Sequence, residues 1–376
     1  MIYLDHAAAT PMDMAVLEAM QPYFTEQFYN PSANYLAAKH VHQALHDARA
    51  SVAHWLGTRS SEIIFTAGGT EANNLAIQGV MRQFPGANVV VSAIEHDAVL
   101  APAALFERRV VKVDTKGIVD LADLESQIDE HTVLVSIMYA NNEVGTIQPL
   151  RHVAEIVAKK RAQRTSDSLP LYFHTDACQA ANYLDLHVSR LGVDMMTLNG
   201  GKIYGPKQSG TLYVSSRVGL QPVIYGGGQE RGLRSGTENV AAAVGFAKAL
   251  EIAQASRHEE TKRLNALQVT AWQLIAEKLP QAVINGSLKH RLPNNIHLTL
   301  PGQDNERLLV ELDEQGILAA AGSACSASSD EPSHVLNAMG FSDEAAQSSL
   351  RLTTGRATTE SNLLAVISAL QQLSTS

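Results

Sequence analysis

The chain of 376 residues is 45% hydrophobic and 18% charged. That is ordinary globular composition and excludes disordered and fibrous classes. At roughly 150 residues per domain, its length points to about two and a half domains. The net charge of −9, without any long run of Lys or Arg, argues against gripping nucleic acid or an anionic membrane. No apolar stretch approaches the roughly 20 residues that cross a bilayer, and MIYLDHAAATP lacks the basic and apolar regions of a secretion signal, so a cytoplasmic location is expected. Only two cysteines occur, Cys178 and Cys325. A disulfide framework is therefore not expected, and each cysteine has to be explained separately.

In chain order, residues 39–56 carry Val41, Leu45, Ala48, Val52 and Trp55 at helical spacing, with Gly57 where a C-terminal cap belongs. EIIFTA (62–67) reads as a strand, followed by Gly68-Gly69-Thr70 and the amphipathic run EANNLAIQGVM. NVVVSAI (88–94), TVLVSIMYA (132–140), LYFHTDA (171–177), VDMMTLN (193–199) and TLYVS (211–215) read as further strands, too continuously apolar to be half-exposed. Segment 150–163 is helical between two of them. Such alternation predicts an α/β domain with a mostly parallel sheet. Two long helical stretches, 237–256 and 258–279, then lead to mixed short strands and helices ending in a helix near 359–373. We place a boundary near 257, giving a large domain of residues 14–257 and a smaller one of residues 1–13 and 258–376.

The strand–GGT–helix turn can present backbone N–H groups and the positive end of a helix to an anion, with Thr70 adding a hydroxyl. GxxxxGK[ST] and GxGxxG are both absent, so the anion would be a small cofactor's phosphate. Asp176 falls at a strand's carboxyl end, where α/β folds place ligands, although an N-cap or a buried ion pair would also suit it. Lys202 follows another strand inside the glycine-rich LNGGKIYGPKQSG. A partly desolvated lysine among other cations can form a Schiff base. An acid for a pyridine nitrogen and an amine for an aldehyde are together the signature of pyridoxal phosphate. Lys207, after Pro206, reads as a structural or surface residue. His96 at a strand end could stack on a flat ring and shuttle protons, or simply be structural. Asn142 and Glu143 follow another strand, where an amide could donate to a ring oxygen or serve a turn.

Cys325 lies in AAGSACSASSDEPSHVL, a run of Gly, Ala and Ser that neither packs a core nor holds one conformation. With no metal-ligand cluster around it, Cys325 is a candidate nucleophile, whereas Cys178 within an apolar run reads as packing. Arg351 in SSLRLTTGR could fork a substrate carboxylate.

These residues stand in motifs that together resemble the pyridoxal-phosphate cysteine desulfurases of the NifS/IscS type, within class V of the fold-type I aminotransferases. YLDHAAATP, YNPSA, TAGGTEANNLAI, EHDAV, NNEVGTIQP, HTDACQ, GGKIYGPK, GGGQERGLRSGTENV and GSACSASSDEPSHVL occur in the family's order, over essentially the whole chain. The resemblance implies a large domain with a mostly parallel seven-stranded sheet plus a smaller α+β domain. It also implies a homodimer that converts L-cysteine to L-alanine and leaves sulfur as a persulfide on Cys325, for transfer to an acceptor protein such as an iron–sulfur scaffold or a thiolation protein. Lys202 resembles the Schiff-base lysine, Asp176 the partner of the ring nitrogen, and His96 the stacking residue. Gln179 and Asn142 match contacts to the ring oxygen and substrate, and Gly69 and Thr70 match the phosphate turn. Thr237 matches the threonine that reaches the phosphate from the neighbouring subunit, and Asn30 with Arg351 matches the substrate carboxylate site. A selenocysteine lyase, an aminotransferase or a non-catalytic sulfur carrier are the competing members of this resemblance.

Three departures stand out. Gly201 and Asn199 occupy positions where relatives carry a histidine and a serine for the phosphate, so only Asn199 keeps a side-chain donor and a lower cofactor affinity is expected. Gln229 stands where relatives commonly have histidine. The sequence ends at Ser376 without the tail that housekeeping members use to dock a scaffold, which leaves the acceptor open.

Overall fold

The computed structural model describes residues 1–322 and 332–374. Its centre is a seven-stranded sheet in the order Ile63–Thr66, Gly210–Val214, Met195–Asn199, Tyr172–Asp176, Thr132–Ser136, Asn88–Ser92, Glu107–Val111. Every pairing is parallel except the two made by Gly210–Val214. Alternate residues of the apolar strands face opposite layers. Val90, Val135, Phe173 and Met196 belong to one core, and Val89, Val91, Leu134 and Met195 to the other. Both faces are thus covered, as the near-continuous apolar runs require.

The helix over Leu36–Leu56 ends at Gly57, whose φ of 66° is the left-handed cap conformation. A Cβ at Gly57 would also strike the His187 ring. Glycine is needed there twice over.

A third core joins Leu4, Ile296, Leu298, Leu308, Leu350, Leu352, Leu363 and Leu370. It lies among the antiparallel sheet Ser349–Thr353, Asn295–Thr299, Val283–Ile284 and the helices Asn305–Glu314 and Glu360–Leu373. Ile2–Tyr3 pairs in parallel with Ile317–Leu318, which attaches the chain's start to this core.

Two sequence expectations are corrected. Residues 237–256 and 258–279 are not two helices. Val240–Lys278 is one helix of 39 residues, and position 257 falls inside it. The charged RHEE segment sits on its outer turns, where His258 and Glu259 are exposed, so the change of composition marks a solvated stretch and not a break. The edge strand Glu107–Val111 was not expected, because ERRVV is mostly exposed and lacks the apolar run of the inner strands. No helix among the described residues is long and apolar enough to cross a membrane.

Continuity of the long helix predicts that His258→Pro, at an exposed interior position, costs about 3 kcal/mol or more, because a backbone N–H is lost and the ring clashes one turn back. Urea unfolding measures this; a cost under about 1 kcal/mol would mean that the helix is interrupted near residue 257.

Candidate active site

The carboxyl ends of the parallel strands converge on one cleft of about 170 Å³. Many of the wall residues follow a strand end: Gly69 and Thr70 after Thr66, His96 after Ser92, Asn142 after Ser136, Cys178 and Gln179 after Asp176, and Lys202 after Asn199. Arg351 enters from the antiparallel sheet, and Ala7 and Ala8 from the amino-terminal segment.

Local structure sets each side chain. The buried Asp176 carboxylate accepts the Asn73 amide at 2.6 Å on one oxygen and the Cys178 N–H at 2.9 Å on the other. It is held in place and retains lone pairs toward the cleft. His96 is the N-cap of Asp97–Ala103, and its Nδ1 accepts from Ala98 N at 3.0 Å. That bond places the neutral ring's proton on Nε2. Asn141 takes the turn role, accepting from Glu143 N and Val144 N, while Asn142 lines the cleft. Asn199 Oδ1 accepts from Gly201 N at 2.9 Å, and its Nδ2 would stand 3.4 Å from a Cβ on Gly69.

Lys202 Nζ donates to the carbonyls of Ala7 at 2.8 Å and Ala8 at 2.6 Å. Gln179 Nε2 donates to the same Ala7 carbonyl at 3.0 Å. The guanidinium of Arg351 is 1% exposed; it donates to Asp5 Oδ1 at 2.7 Å and to the Asn142 carbonyl at 3.1 Å, and its Nε is buried without a partner among the described residues.

Glycines make room at the turn. A Cβ on Gly69 would stand 2.8 Å from Cys178 Sγ, and one on Gly210 would stand 2.8 Å from the Gly68 backbone. Cys178, expected as packing, does fill this space, but it does so as part of the cleft wall. Burial, reinforced by the Asp176 carboxylate, pushes its thiol well above the usual range.

Two of the expected site residues lie elsewhere. Asn30 is exposed, with its Oδ1 accepting from Ser32 N in a local turn. Thr237 is exposed beside Glu230, Arg234 and Gln208 in a separate hollow. Cys325 lies outside the described residues. Gln229 uses its side chain to accept from Gly236 N at 2.9 Å within that same loop.

Asp5, Asn73 and Glu95 are functional neighbours that sequence reasoning missed. Asp5 and Asn73 sit inside the motifs YLDHAAATP and TAGGTEANNLAI, which was the available signal. Glu95, next to His96, is fully buried; Ser92 Oγ and Met138 N donate to its Oε1 at 2.6 and 2.8 Å, and its Oε2 has no partner among the described residues. Burial is the main force that lifts its carboxyl to about 8, with the Asp176 charge adding to it.

The aminotransferase class-V family matches residues 2–366, and the chain belongs to that family. Cysteine desulfurase IscS of Dictyoglomus turgidum is 39% identical over 379 residues, covering 99% of this chain and 94% of the relative. A solved NifS-like protein superposes with a TM-score of 0.91 at 34% identity, covering 100% of this chain and 99% of its own. The structure of SspA in complex with cysteine gives 0.79 at 33% identity, covering 94% and 98%.

Enzymes of this family and kind use pyridoxal 5'-phosphate. The cleft fits it: a lysine amine and an anchored carboxylate share one wall, a glycine cradle opens at a helix amino terminus, and Asn73 Oδ1 and Arg351 Nε are buried without partners among the described residues.

Glu95 yields a pH test. Its ordinary value is 4.5 and its folded value about 8, so the fold favours the protonated form. That contribution is complete below pH 4.5 and is lost as the pH rises to 8, with a limiting slope of about 1.4 kcal/mol per pH unit. Glu95→Gln keeps an acceptor for Ser92 and Met138 and should flatten urea stability between pH 5 and 8; an unchanged pH profile would refute a protonated Glu95.

Proposed function

We infer that this cleft carries out the cysteine desulfurase reaction, L-cysteine to L-alanine with the sulfur left on Cys325. The observation that carries this reading is the convergence of Lys202, Asp176, His96 and Arg351 on one cleft in a chain of this family. That SspA, at 33% identity, is seen with cysteine supports the substrate. The bound cofactor supplies an electron sink for the charge that develops at the substrate's α-carbon.

The chain's own residues do the rest. Lys202 would hold the cofactor aldehyde and, once released from it, would move a proton at the α-carbon. Asp176 would keep the ring nitrogen protonated, and His96 would stand against the ring. Gln179 and Asn142 would serve the ring oxygen and substrate, while Gly69, Thr70 and Asn199 would take the phosphate. Arg351 binds the substrate carboxylate with the donors that Asp5 and the Asn142 carbonyl leave unused. The Cys325 thiolate attacks the substrate sulfur. The carbon–sulfur bond breaks with its electron pair left on the carbon, which is protonated to alanine, and the persulfide passes its sulfur to an acceptor protein.

The same reading makes the protein a cytoplasmic homodimer. Phe24, Phe28, Tyr35, Leu36 and Tyr225 are exposed near Asn30 and Thr237 in sequence, apolar surface of the kind that a second copy covers. Thr237 and Asn30, outside the cleft of their own chain, would act across that interface. The separation of the large sheet's cores from that of the small sheet supports residues 14–257 as the cofactor domain, with 1–13 and 258–376 as the smaller one. An iron–sulfur scaffold or a thiolation protein is the acceptor class that fits.

Purified protein with L-cysteine and a reductant should release alanine and sulfide in equal amounts. Cys325→Ala should lose at least about 100-fold of both, since no other thiolate replaces it. Alanine without sulfide, or indifference to Cys325→Ala, would overturn the assignment.

A further inference from the structure

Beside the cleft lies a shallower hollow of about 510 Å³, reached past the glycine turn. Gly69, Thr70, Asn199, Gly201, Lys202 and Lys207 line it. This is the phosphate end of the site under the reading above, on which the inference rests. A phosphate monoester carries about two negative charges near neutral pH. The amino terminus of Gly69–Met81 supplies N–H groups and a partial positive charge. Thr70 and Asn199 supply neutral donors.

Full charges are few. Glu71 also lines the hollow, but Arg234 Nε pairs with its carboxylate at 2.8 Å, and Ala67 N donates to its other oxygen at 3.1 Å. Lys202 cannot serve the phosphate once its nitrogen is bonded to the aldehyde carbon. Lys207 is then the cation remaining among the described residues of this hollow. Its ammonium spends one N–H on the Thr10 carbonyl at 2.6 Å and has two more to give.

Gly201 explains how Lys207 gains access. A Cβ there would stand 3.9 Å from Lys207 Cγ and 4.0 Å from its Cα, and its nearest neighbour would be Asn199 Oδ1 at 3.4 Å. Gly201 is not among the residues with positive φ. Neither backbone nor crowding demands glycine at this position: a Cβ would make ordinary contacts with Asn199 and the Lys207 stem, and its absence keeps that side of the stem clear. We propose that Lys207 reaches across the gap at Gly201 and supplies the cationic contact to the cofactor phosphate.

The test compares binding of pyridoxal phosphate and of pyridoxal, which lacks the phosphate, by absorbance titration of the lysine-linked chromophore. Lys207→Met should weaken pyridoxal phosphate binding by about 10- to 100-fold, the range for one charge-assisted hydrogen bond, and leave pyridoxal unchanged. Lys207→Arg should retain most of the affinity. Adding Gly201→His to Lys207→Met should recover part of it, because an imidazole then fills the same gap. Lys207 is exposed, so thermal unfolding of the cofactor-free variants should match wild type. Equal loss for both ligands, or no loss for either, overturns the role of Lys207 while wild type shows its normal chromophore. A wild type without that chromophore, or one that Lys202→Ala does not abolish, overturns the cofactor's placement and this proposal with it.

Discussion

The first ten residues hold three cations, Arg351 through the Asp5 carboxylate and Lys202 and Lys207 through backbone carbonyls. The segment leaves the small sheet at Asp5, bridged to Thr353, and closes on the lysine loop at Thr10, whose N and Oγ1 both donate to the Gly201 carbonyl at 3.1 Å. Between these points, Asp5 grips Arg351, the Ala7 and Ala8 carbonyls take Lys202, and Ala7 also takes Gln179. The Thr10 carbonyl takes Lys207. Three cations and an amide are positioned by a stretch in which Ala7, Ala8 and Ala9 carry only methyl groups. Small side chains suit Ala7 and Ala8 because both line the cleft, and the turn after Asp5 leaves their carbonyls to find donors in Lys202 and Gln179. A shift of this segment would displace Lys202 and Arg351 together, which couples the small sheet to the lysine loop.

Beneath the cleft, burial sorts charge. His174 lies between Ser136 Oγ at 2.8 Å and Thr197 Oγ1 at 3.0 Å, and desolvation lowers it to about 4. Glu95 is lifted to about 8 by the same force. Near neutral pH both are uncharged, so neither competes with Asp176 for a cation or opposes a protonated ring nitrogen. Low-dielectric surroundings make this segregation effective, since an unpaired buried charge would be far costlier than a neutral hydrogen-bonded group.

What could be read from the chain follows from how locally each feature is encoded. The inner strands announce themselves because a sheet covered on both faces demands continuous apolar runs. Lys202, Asp176 and His96 are legible because each ends such a run. Glu107–Val111 hides its identity, since an edge strand pays little for exposed Glu107 and Arg108. The long helix was divided at Arg257-His258-Glu259-Glu260 because solvation of an outer turn looks like an interruption in a composition profile. Asp5 was missed because its partner Arg351 is 346 residues away, and Asn73 because Asp176 is 103 away. The Ala7 and Ala8 carbonyls have no side-chain signature at all; only the fold shows that a lysine ends there.

The two cysteines part on physical grounds. A thiolate is the nucleophile, and Cys178 is pushed away from ionisation by burial and by the Asp176 carboxylate, with Lys202 opposing this only in part. Its sulfur is used as volume against Gly69. The cleft therefore contains a thiol held away from its reactive, ionised form, which accords with the proposal that the sulfur chemistry belongs to Cys325. Residues 323–331 lie outside the described structure, but their flanks do not. Ala320 exchanges backbone hydrogen bonds with Arg351, Ser333 Oγ donates to Glu143 Oε2 at 2.6 Å, and His334 Nε2 donates to the Glu95 carbonyl at 3.0 Å. One flank is fastened to the arginine assigned to the substrate carboxylate, the other to the neighbours of Asn142 and His96. Both described flanks, Ala320 on one side and Ser333 with His334 on the other, thus meet the rim of a single cleft.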